Sequence, residues 1–137
     1  MSTATVTITD HIISTLSTGD YIRLFDRSAP AVLIDMNSPT WRFQAQGRDD
    51  IVAHFVDEFA QVPSVRCTQF RVRSAGNPVV VESESRYDGD DGEYLWRTVD
   101  IVQTLDNEIV ELTQYCSGVW DPATVARQAV EAPMVRW

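Results

Sequence analysis

The sequence has no lysine, only two cysteines and only two histidines among its 137 residues. All eleven basic residues are arginine, and against twenty acidic residues they leave a formal charge of −9. Such a charge repels nucleic acid phosphates and anionic membrane surfaces, so neither is an expected partner. Two histidines alone do not make a common metal site, and there is no glycine-rich phosphate loop. We therefore expect neither a metal nor a cofactor.

Cysteine and long apolar segments are also scarce. Cys67 and Cys116 lie far apart in the chain and have no histidine or cysteine neighbours, which excludes a zinc or redox spacing. Residues Met1–Asp10 show no secretory signal, and apolar runs such as Val79–Val81 are far shorter than the roughly 20 residues that span a bilayer. We therefore expect a cytoplasmic protein with two free thiols.

The remaining composition is that of a globular protein. Hydrophobic residues make up 44% and charged residues 23%, which predicts a packed core. The length fits one domain, and no linker or repeat divides it. We expect residues 1–137 to form a single domain.

The first half of the chain shows helix signals. Asp10 can cap a helix over about residues 10–18, and Asp20 can cap a short second helix with Tyr21, Leu24 and Phe25 inward. A strand is predicted over Ala31–Met36, an irregular or hairpin arm over Trp41–Gln46, and a third helix over Gly47–Gln61. Asp35 is the one acidic residue in its otherwise apolar strand.

The second half of the chain has the two-residue alternation of strands. Turn residues separate four predicted strands, after which Asp121-Pro122 starts a closing helix over Ala123–Glu131. The predicted strands are Val65–Ser74, Val79–Tyr87, Tyr94–Leu105 and Ile109–Val119. Together these elements predict an α+β fold in which a curved antiparallel meander wraps three N-terminal helices as a cone, with a short C-terminal helix. The open mouth of such a cone is a favoured ligand site.

The order and spacing of several positions resemble the NTF2-like superfamily, in its ketosteroid isomerase and SnoaL-like polyketide cyclase branches. The resemblance covers residues 10–120 and rests on Gly19-Asp20 with Leu24-Phe25, the Asp35 strand, Gly47 with Ile51 and Phe55, and Asp100. It implies a cone-shaped pocket, with a general-base aspartate at Asp35 and a protonated aspartate at Asp100. The chain departs from the isomerases at Ile12, where they have a tyrosine that donates to the oxyanion.

A pair of carboxyl groups of this kind has a clear chemical use. Removing a proton beside a carbonyl needs an ionised base near the carbon and a donor near the oxygen. Unequal burial can give two aspartates these two roles, because burial raises a carboxyl pKa. The alternative interpretation is a solvated outer face, since strand alternation places Asp35 with Leu33 and Asn37 on the more polar side.

His54 and several pocket positions complete the candidate site. His54 matches a pocket position of the isomerases, and imidazole suits proton transfer near neutral pH; the alternative is a half-exposed residue pairing with Glu58 one helical turn away. Tryptophans such as Trp41 and Trp96 are expected in the core or at the pocket mouth. The predicted ligand-binding residues are Trp41, Phe55, Phe59, Val81, Ser83, Trp96, Leu112, Gln114 and Cys116.

These observations support one leading hypothesis and two alternatives. The leading hypothesis is an acid–base enzyme, of isomerase, cyclase or dehydratase type, acting on a small carbonyl-containing or polycyclic compound. It assigns Asp35 as the base, Asp100 as the acid or oxyanion donor, and leaves the part of His54 open. The alternatives are a carrier that holds a hydrophobic ligand without turnover, and a dimeric interaction module. A homodimer through the outward sheet face, which includes Thr113 and Tyr115, is expected.

Overall fold

Helices form at the predicted places in the computed structural model, which describes residues 6–62 and 64–137. Asp20 accepts the amide hydrogen of Arg23, as its capping role predicts. The first helix begins at Ile8 rather than near Asp10, because Thr7 is its cap and accepts the amide hydrogen of Asp10. The helices in the described residues are α1 (Ile8–Ser17), α2 (Tyr21–Leu24), α3 (Arg48–Ala60) and α4 (Pro122–Glu131).

The strands form one six-stranded curved sheet. They are β1 (Ser28–Ser38), β2 (Trp41–Gln46), β3 (Arg66–Ala75), β4 (Val79–Gly89), β5 (Gly92–Leu105) and β6 (Glu108–Cys116). Their order is β2-β1-β6-β5-β4-β3, so β3 to β6 make the predicted antiparallel meander. Asp106 and Asn107 both have positive φ, as a tight hairpin turn between β5 and β6 requires. The predicted α+β class is confirmed.

One pairing differs from the predicted antiparallel sheet. Strand β1 pairs with β6 in parallel, and β2 then adds as an antiparallel edge strand. This pairing places the first strand beside the last and makes the sheet mixed. Sequence alternation carries no information about which strand lies next to which, so this neighbour was not predicted.

The core lies between the inner face of the sheet and the helices α1 to α3. Alternate residues of the central strands point inward, including Val32, Ile34, Val81, Val102 and Leu112, and each is fully buried. They pack against a helical set that is also buried: Ile12, Leu16, Leu24, Phe25, Ile51 and Phe55. The helix α4 instead lies against β5, and none of its residues is buried. No helix of the described residues has the length and hydrophobicity needed to cross a membrane.

Candidate active site

A partly open cavity of about 130 Å³, which we call the inner cavity, lies between the end of the inner sheet face and the helices α2 and α3. Residues of α2, α3, β1 and β4 to β6 contribute to its wall, together with residues of neighbouring loops. Its apolar wall is formed by Met36, Phe55, Phe59, Val62, Val65 and Trp96. The polar groups that reach it include Tyr21, Glu58, Ser85 and Gln114. The cavity is thus mainly apolar with a few polar groups, which is typical of small-molecule sites.

The polar end of this cavity is built around Asp100, which is only 1% exposed. Tyr21 Oη donates a hydrogen bond to Asp100 Oδ2 over 2.7 Å, and Gln114 Nε2 donates to Oδ1 over 2.9 Å. Gln114 Nε2 also lies 3.0 Å from Tyr21 Oη and donates to it. Tyr21 and Gln114 line the cavity, so these two side chains separate the Asp100 carboxyl from a bound molecule.

Local structure explains why these three groups meet. Asp100 and Gln114 are direct cross-strand partners in β5 and β6, and both lie on the inner face. Tyr21 is the first residue of α2, and the Asp20 cap fixes the start of that helix. The Tyr21 ring stacks on Phe55, with ring centroids 5.3 Å apart, which holds the phenol above the sheet. The arrangement is therefore held by packing as well as by hydrogen bonds.

Burial changes the proton affinity of this group of side chains. Burial raises the pKa of Asp100 from 3.8 to about 6, while the hydrogen bonds from Tyr21, Gln114 and Thr98 act in the opposite direction. Burial and the nearby Asp100 charge raise the pKa of Tyr21 well above its usual range, so its hydroxyl keeps its proton. Asp100 is therefore a carboxyl group that can gain or lose a proton near neutral pH.

An open groove of about 460 Å³ continues from the inner cavity. Both are lined by Met36, Glu58, Gln114, Cys116 and Val119, and the groove also has Trp41, Phe43 and His54 in its wall. The exposed side chain of Glu58 therefore lies where the cavity and the groove meet. A ligand larger than the cavity can extend into this groove.

His54 lies in the groove beside Glu58, one helical turn earlier in α3. Its ring contacts those of Phe43 and Phe55, with centroids 4.7 Å and 5.3 Å away. His54 Nε2 lies 3.1 Å from Glu58 Oε2, which suits an ion pair with a protonated imidazole. The two groups are not aligned for a hydrogen bond, so the buried Nε2 has no hydrogen-bond partner among the described residues. His54 therefore pairs with Glu58 and also lines the groove, so the two interpretations of this residue hold at the same time.

The structure corrects the expectation for Asp35. Val32, Ile34 and Met36 take the inward positions of β1, so Asp35 faces the outer side of the sheet, away from the cavity. There Arg42 Nε donates to Asp35 Oδ1 over 2.9 Å, and Arg42 Nη2 donates to Oδ2 over 2.8 Å. These hydrogen bonds lower the pKa of Asp35. Asp35 and Asp100 therefore do not meet in one cavity, and Asp35 has no direct path to a ligand bound there.

The predicted ligand-binding residues divide into three groups. The wall of the inner cavity contains Phe55, Phe59, Trp96, Gln114 and Cys116. Trp41 is 71% exposed and lines the groove rather than the core. The other three lie outside the wall: Val81 and Leu112 are part of the core beneath the helices, and Ser83 Oγ is hydrogen bonded to Thr98 Oγ1 at 2.8 Å. The inner cavity lies at the end of the sheet marked by Ser85, Trp96 and Gln114, and Val81, Ser83 and Leu112 do not line it.

Sequence reasoning missed two functional candidates, Tyr21 and Glu58. The helix pattern placed Tyr21 inward, but nothing local indicates a hydrogen bond to a residue 79 positions away. The spacing in α3 indicates Glu58 only as a partner of His54. A buried strand aspartate needs a hydrogen-bond donor, and an inward phenol on a capped helix is one place to look for it.

The site offers hydrogen-bonding groups rather than a metal centre. No group of three or more histidine, cysteine or acidic side chains in residues 6–62 and 64–137 is placed to hold a metal ion. Cys116 lines the cavity as a free thiol, and burial raises its pKa. Both hydrogens of Gln114 Nε2 are donated to Asp100 and Tyr21, so the donor that an acceptor oxygen in the cavity can meet is the Tyr21 hydroxyl, once protonation of Asp100 frees its hydrogen. Glu58 is a carboxyl group that lines the cavity itself.

Comparisons with solved structures identify the fold. An NTF2-like protein from Cytophaga hutchinsonii is 21% identical and superposes with a TM-score of 0.64 over 82% of this chain and 99% of its own. A protein with a ketosteroid isomerase-like fold from Catenulispora acidiphila, solved with trimethylamine, is 16% identical, with a TM-score of 0.59 over 91% and 93% of the two chains. A candidate polyketide cyclase from Pseudomonas putida is also 16% identical, with a TM-score of 0.57 over 92% and 98%.

Sequence comparison adds no assignment at the level of family. No family model and no curated protein matches the sequence. At these identities the similarity concerns the fold alone, and function has to be argued from the cavity. The chain has the NTF2-like fold, as the resemblance of its sequence predicted.

Proposed function

We propose that this protein is an acid–base enzyme that removes a proton beside the carbonyl group of a small, mainly apolar compound. The observation that carries the proposal is the buried Asp100 carboxyl group. Hydrogen bonds from Tyr21 and Gln114 connect it to the polar end of the mainly apolar inner cavity. A carbonyl oxygen would lie at this polar end. Cavity size favours a small ring or short chain, and a polycyclic compound would extend into the groove.

The protonation state of Asp100 decides which donor a carbonyl meets. When Asp100 is ionised, the Tyr21 hydroxyl hydrogen is used in the bond to Oδ2. When Asp100 is protonated, its own O–H donates to Tyr21 Oη, and the Tyr21 hydrogen is free to turn toward the cavity. A ligand with an acceptor oxygen therefore binds best to the protonated form, and its affinity falls as pH rises above about 6.

Glu58 is the proposed base, in place of Asp35. Its carboxylate reaches the inner cavity from α3, and His54 lies beside it on the same helix. In the proposed step the C–H bond beside the carbonyl breaks and the proton passes to a Glu58 oxygen. The electron pair forms the carbon–carbon double bond of an enolate, and the negative charge moves to the oxygen that Tyr21 contacts. Returning the proton to another carbon completes an isomerisation. In D₂O the proton on Glu58 is first replaced by solvent deuterium, and return of that deuterium to the same carbon completes exchange.

Hydrogen–deuterium exchange tests this step without knowledge of the natural substrate. The protein is incubated in D₂O with cyclohexanone near pH 6, and proton NMR follows loss of the hydrogens beside the carbonyl. We expect exchange faster than in buffer alone. Tyr21→Phe, which removes the oxyanion donor, and Glu58→Gln, which removes the base, should each slow it by about a hundredfold. Asp35→Asn is the matched control and should retain the wild-type rate.

The same experiment separates the enzyme from the carrier. The carrier hypothesis has its own support. When Asp100 is ionised, the hydrogen bonds that Tyr21 and Gln114 donate go to Asp100 and to Tyr21 itself, so none is directed at a ligand. A carrier would show cyclohexanone-induced shifts at Gln114 and Cys116 with exchange at the buffer rate. That result would contradict the enzymatic proposal, as would an unchanged rate in Tyr21→Phe.

We also propose that two copies associate through the outer face of the sheet. Tyr115 lies on that face and is 54% exposed, beside Thr113 in β6. Light scattering should give twice the mass of the chain, and Tyr115→Arg should reduce it to that of a monomer. A monomeric mass for the unmodified protein would contradict this assembly.

A further inference from the structure

A second cavity lies on the outer face of the sheet, between α4 and the strands β4 and β5. Its volume is about 270 Å³, and it shares no lining residue with the inner cavity. Most of its wall is apolar, formed by Leu95, Trp120, Val125, Ala129, Pro133 and Met134. The charged side chains that line it are Glu84, Arg86 and Arg97.

Two of these charged groups already have partners. Glu84 Oε2 accepts hydrogen bonds from Thr68 Oγ1 over 2.9 Å and from Arg86 Nε over 3.2 Å. Arg86 is also paired with Glu93. The nearby Glu82 contributes a negative charge, but its carboxylate accepts a hydrogen bond from Arg73 over 2.6 Å. Neither Glu84 nor Arg86 therefore needs a ligand.

Arg97, in contrast, has no such partner. Its guanidinium makes no hydrogen bond or ion pair with any of the described residues, and its Nε is buried. It lies 5.4 Å from the ring centroid of Trp137, whose indole Nε1 is also buried without an acceptor. Arg71 lies 5.5 Å from the same ring. Arg71 donates to the main-chain oxygen of Trp137, but Arg97 Nε and Trp137 Nε1 have no acceptor among the described residues, whereas buried donors in native proteins nearly always have one.

We propose that the outer cavity binds a small organic carboxylate with an apolar body. The carboxylate would accept hydrogen bonds from Arg97, and the hydrocarbon part would pack on Leu95, Trp120 and Val125. The volume lies just below the range of about 300–1,000 Å³ that holds drug-sized ligands, which favours a medium-chain or single-ring acid. The inference uses none of the residues of the proposed acid–base site.

Titration with sodium octanoate tests the proposal, with 1-octanol as the neutral compound of the same chain length. Binding is measured by calorimetry and by the indole NMR signals of Trp120 and Trp137. We expect saturable octanoate binding that shifts both signals and at least tenfold weaker binding of 1-octanol. Arg97→Gln should weaken octanoate binding at least tenfold. Arg127→Gln should leave it unchanged, because Arg127 is exposed on α4 and pairs with Glu131.

A second variant locates the bound octanoate even if Arg97→Gln fails to fold. Ala129→Trp fills the outer cavity from its exposed edge and should abolish binding, whereas binding in the inner cavity would survive it. Equal affinity for octanoate and 1-octanol, absence of saturable binding, or full affinity in Ala129→Trp would each overturn the proposal. Deuterium exchange in cyclohexanone should proceed normally in Ala129→Trp, so failure of this site is distinguishable from failure of the acid–base site.

Discussion

Asp35 and Asp100 are both buried strand residues, on opposite faces of one sheet, and their protons behave in opposite ways. Asp35 is 9% exposed and has a lowered pKa, because Arg42 donates two hydrogen bonds to its carboxylate. Asp100 is 1% exposed and has a pKa raised to about 6, because burial is opposed only by neutral donors such as Tyr21 and Gln114. The comparison shows that two factors decide whether a strand carboxyl group stays ionised: a neighbouring cation such as Arg42, and the degree of burial of the carboxyl group.

This difference assigns separate tasks to the two faces. The outer face holds a carboxylate whose charge is fixed, which suits a structural ion pair. The inner face holds one whose proton can move, next to a cavity of about 130 Å³. This difference places the proposed acid–base role on the inner face.

The largest expected effect comes from removing the aromatic ring that stacks on Tyr21, the residue that bonds to Asp100. Phe55 is 2% exposed and stacks on Tyr21, so Phe55→Ala should cost about 3–5 kcal/mol in the free energy of unfolding. Water entering the space should also lower the pKa of Asp100 from about 6 toward 3.8. Urea denaturation and carboxyl NMR titration measure the two effects. Val56→Ala, at the exposed neighbouring position, is the control, and an unchanged Asp100 pKa in Phe55→Ala would refute the role given to burial.

Asp100→Asn should produce the next largest effect, on the pH dependence of stability. The Asp100 pKa is higher in the folded state than the 3.8 of the free group, so folding favours the protonated form. This contribution is fully present below about pH 4 and is lost as pH rises through 6, a change of about 3 kcal/mol in the free energy of unfolding. Subtracting the unfolding free energies of Asp100→Asn from those of the wild type at each pH should isolate this loss. A difference that stays constant between pH 4 and pH 7 would disagree with it.

Arg42→Gln should have the smallest effect, and with the opposite sign. The lowered pKa of Asp35 contributes stability above its unfolded pKa, which is lost as pH falls through the folded value. The variant should therefore be slightly less stable than wild type at pH 7 and equally stable in strong acid, where Asp35 is protonated in both. The effect is small because the Arg42 side chain is 62% exposed. Thermal melts at the two pH values measure it, and a change in deuterium exchange of cyclohexanone would show that Asp35 takes part in catalysis after all.

Much of the fold was predictable, because its signals are local. Turn residues such as Asp106-Asn107 and caps such as Asp20 and Asp121 lie at the ends of the elements they were expected to end or begin. The parallel contact between β1 and β6 was not predicted, since it depends on which strands become neighbours after folding. Long-range pairing has no counterpart in local periodicity.

The site was predictable only in part, for the same reason. Alternation along β1 sets Val32, Ile34 and Met36 on one face, which already indicates that Asp35 lies on the other. The resemblance to the isomerases outweighed that pattern and gave the wrong face. Asp100 shares the inner side of β5 with Trp96, as the resemblance predicted and the strand pattern alone did not. Its contact with Tyr21 joins elements far apart in the chain and became visible only in three dimensions.

Carboxyl carbon NMR titration of Asp35 and Asp100 in the same sample tests the central claim most directly. We expect Asp100 to titrate near pH 6 and Asp35 below the usual aspartate range, and Tyr21→Phe should raise the Asp100 pKa further, because the phenol hydrogen bond stabilises the ionised form. Titration of Asp100 near pH 4, or of Asp35 at a higher pH than Asp100, would contradict the division between the two faces of the sheet.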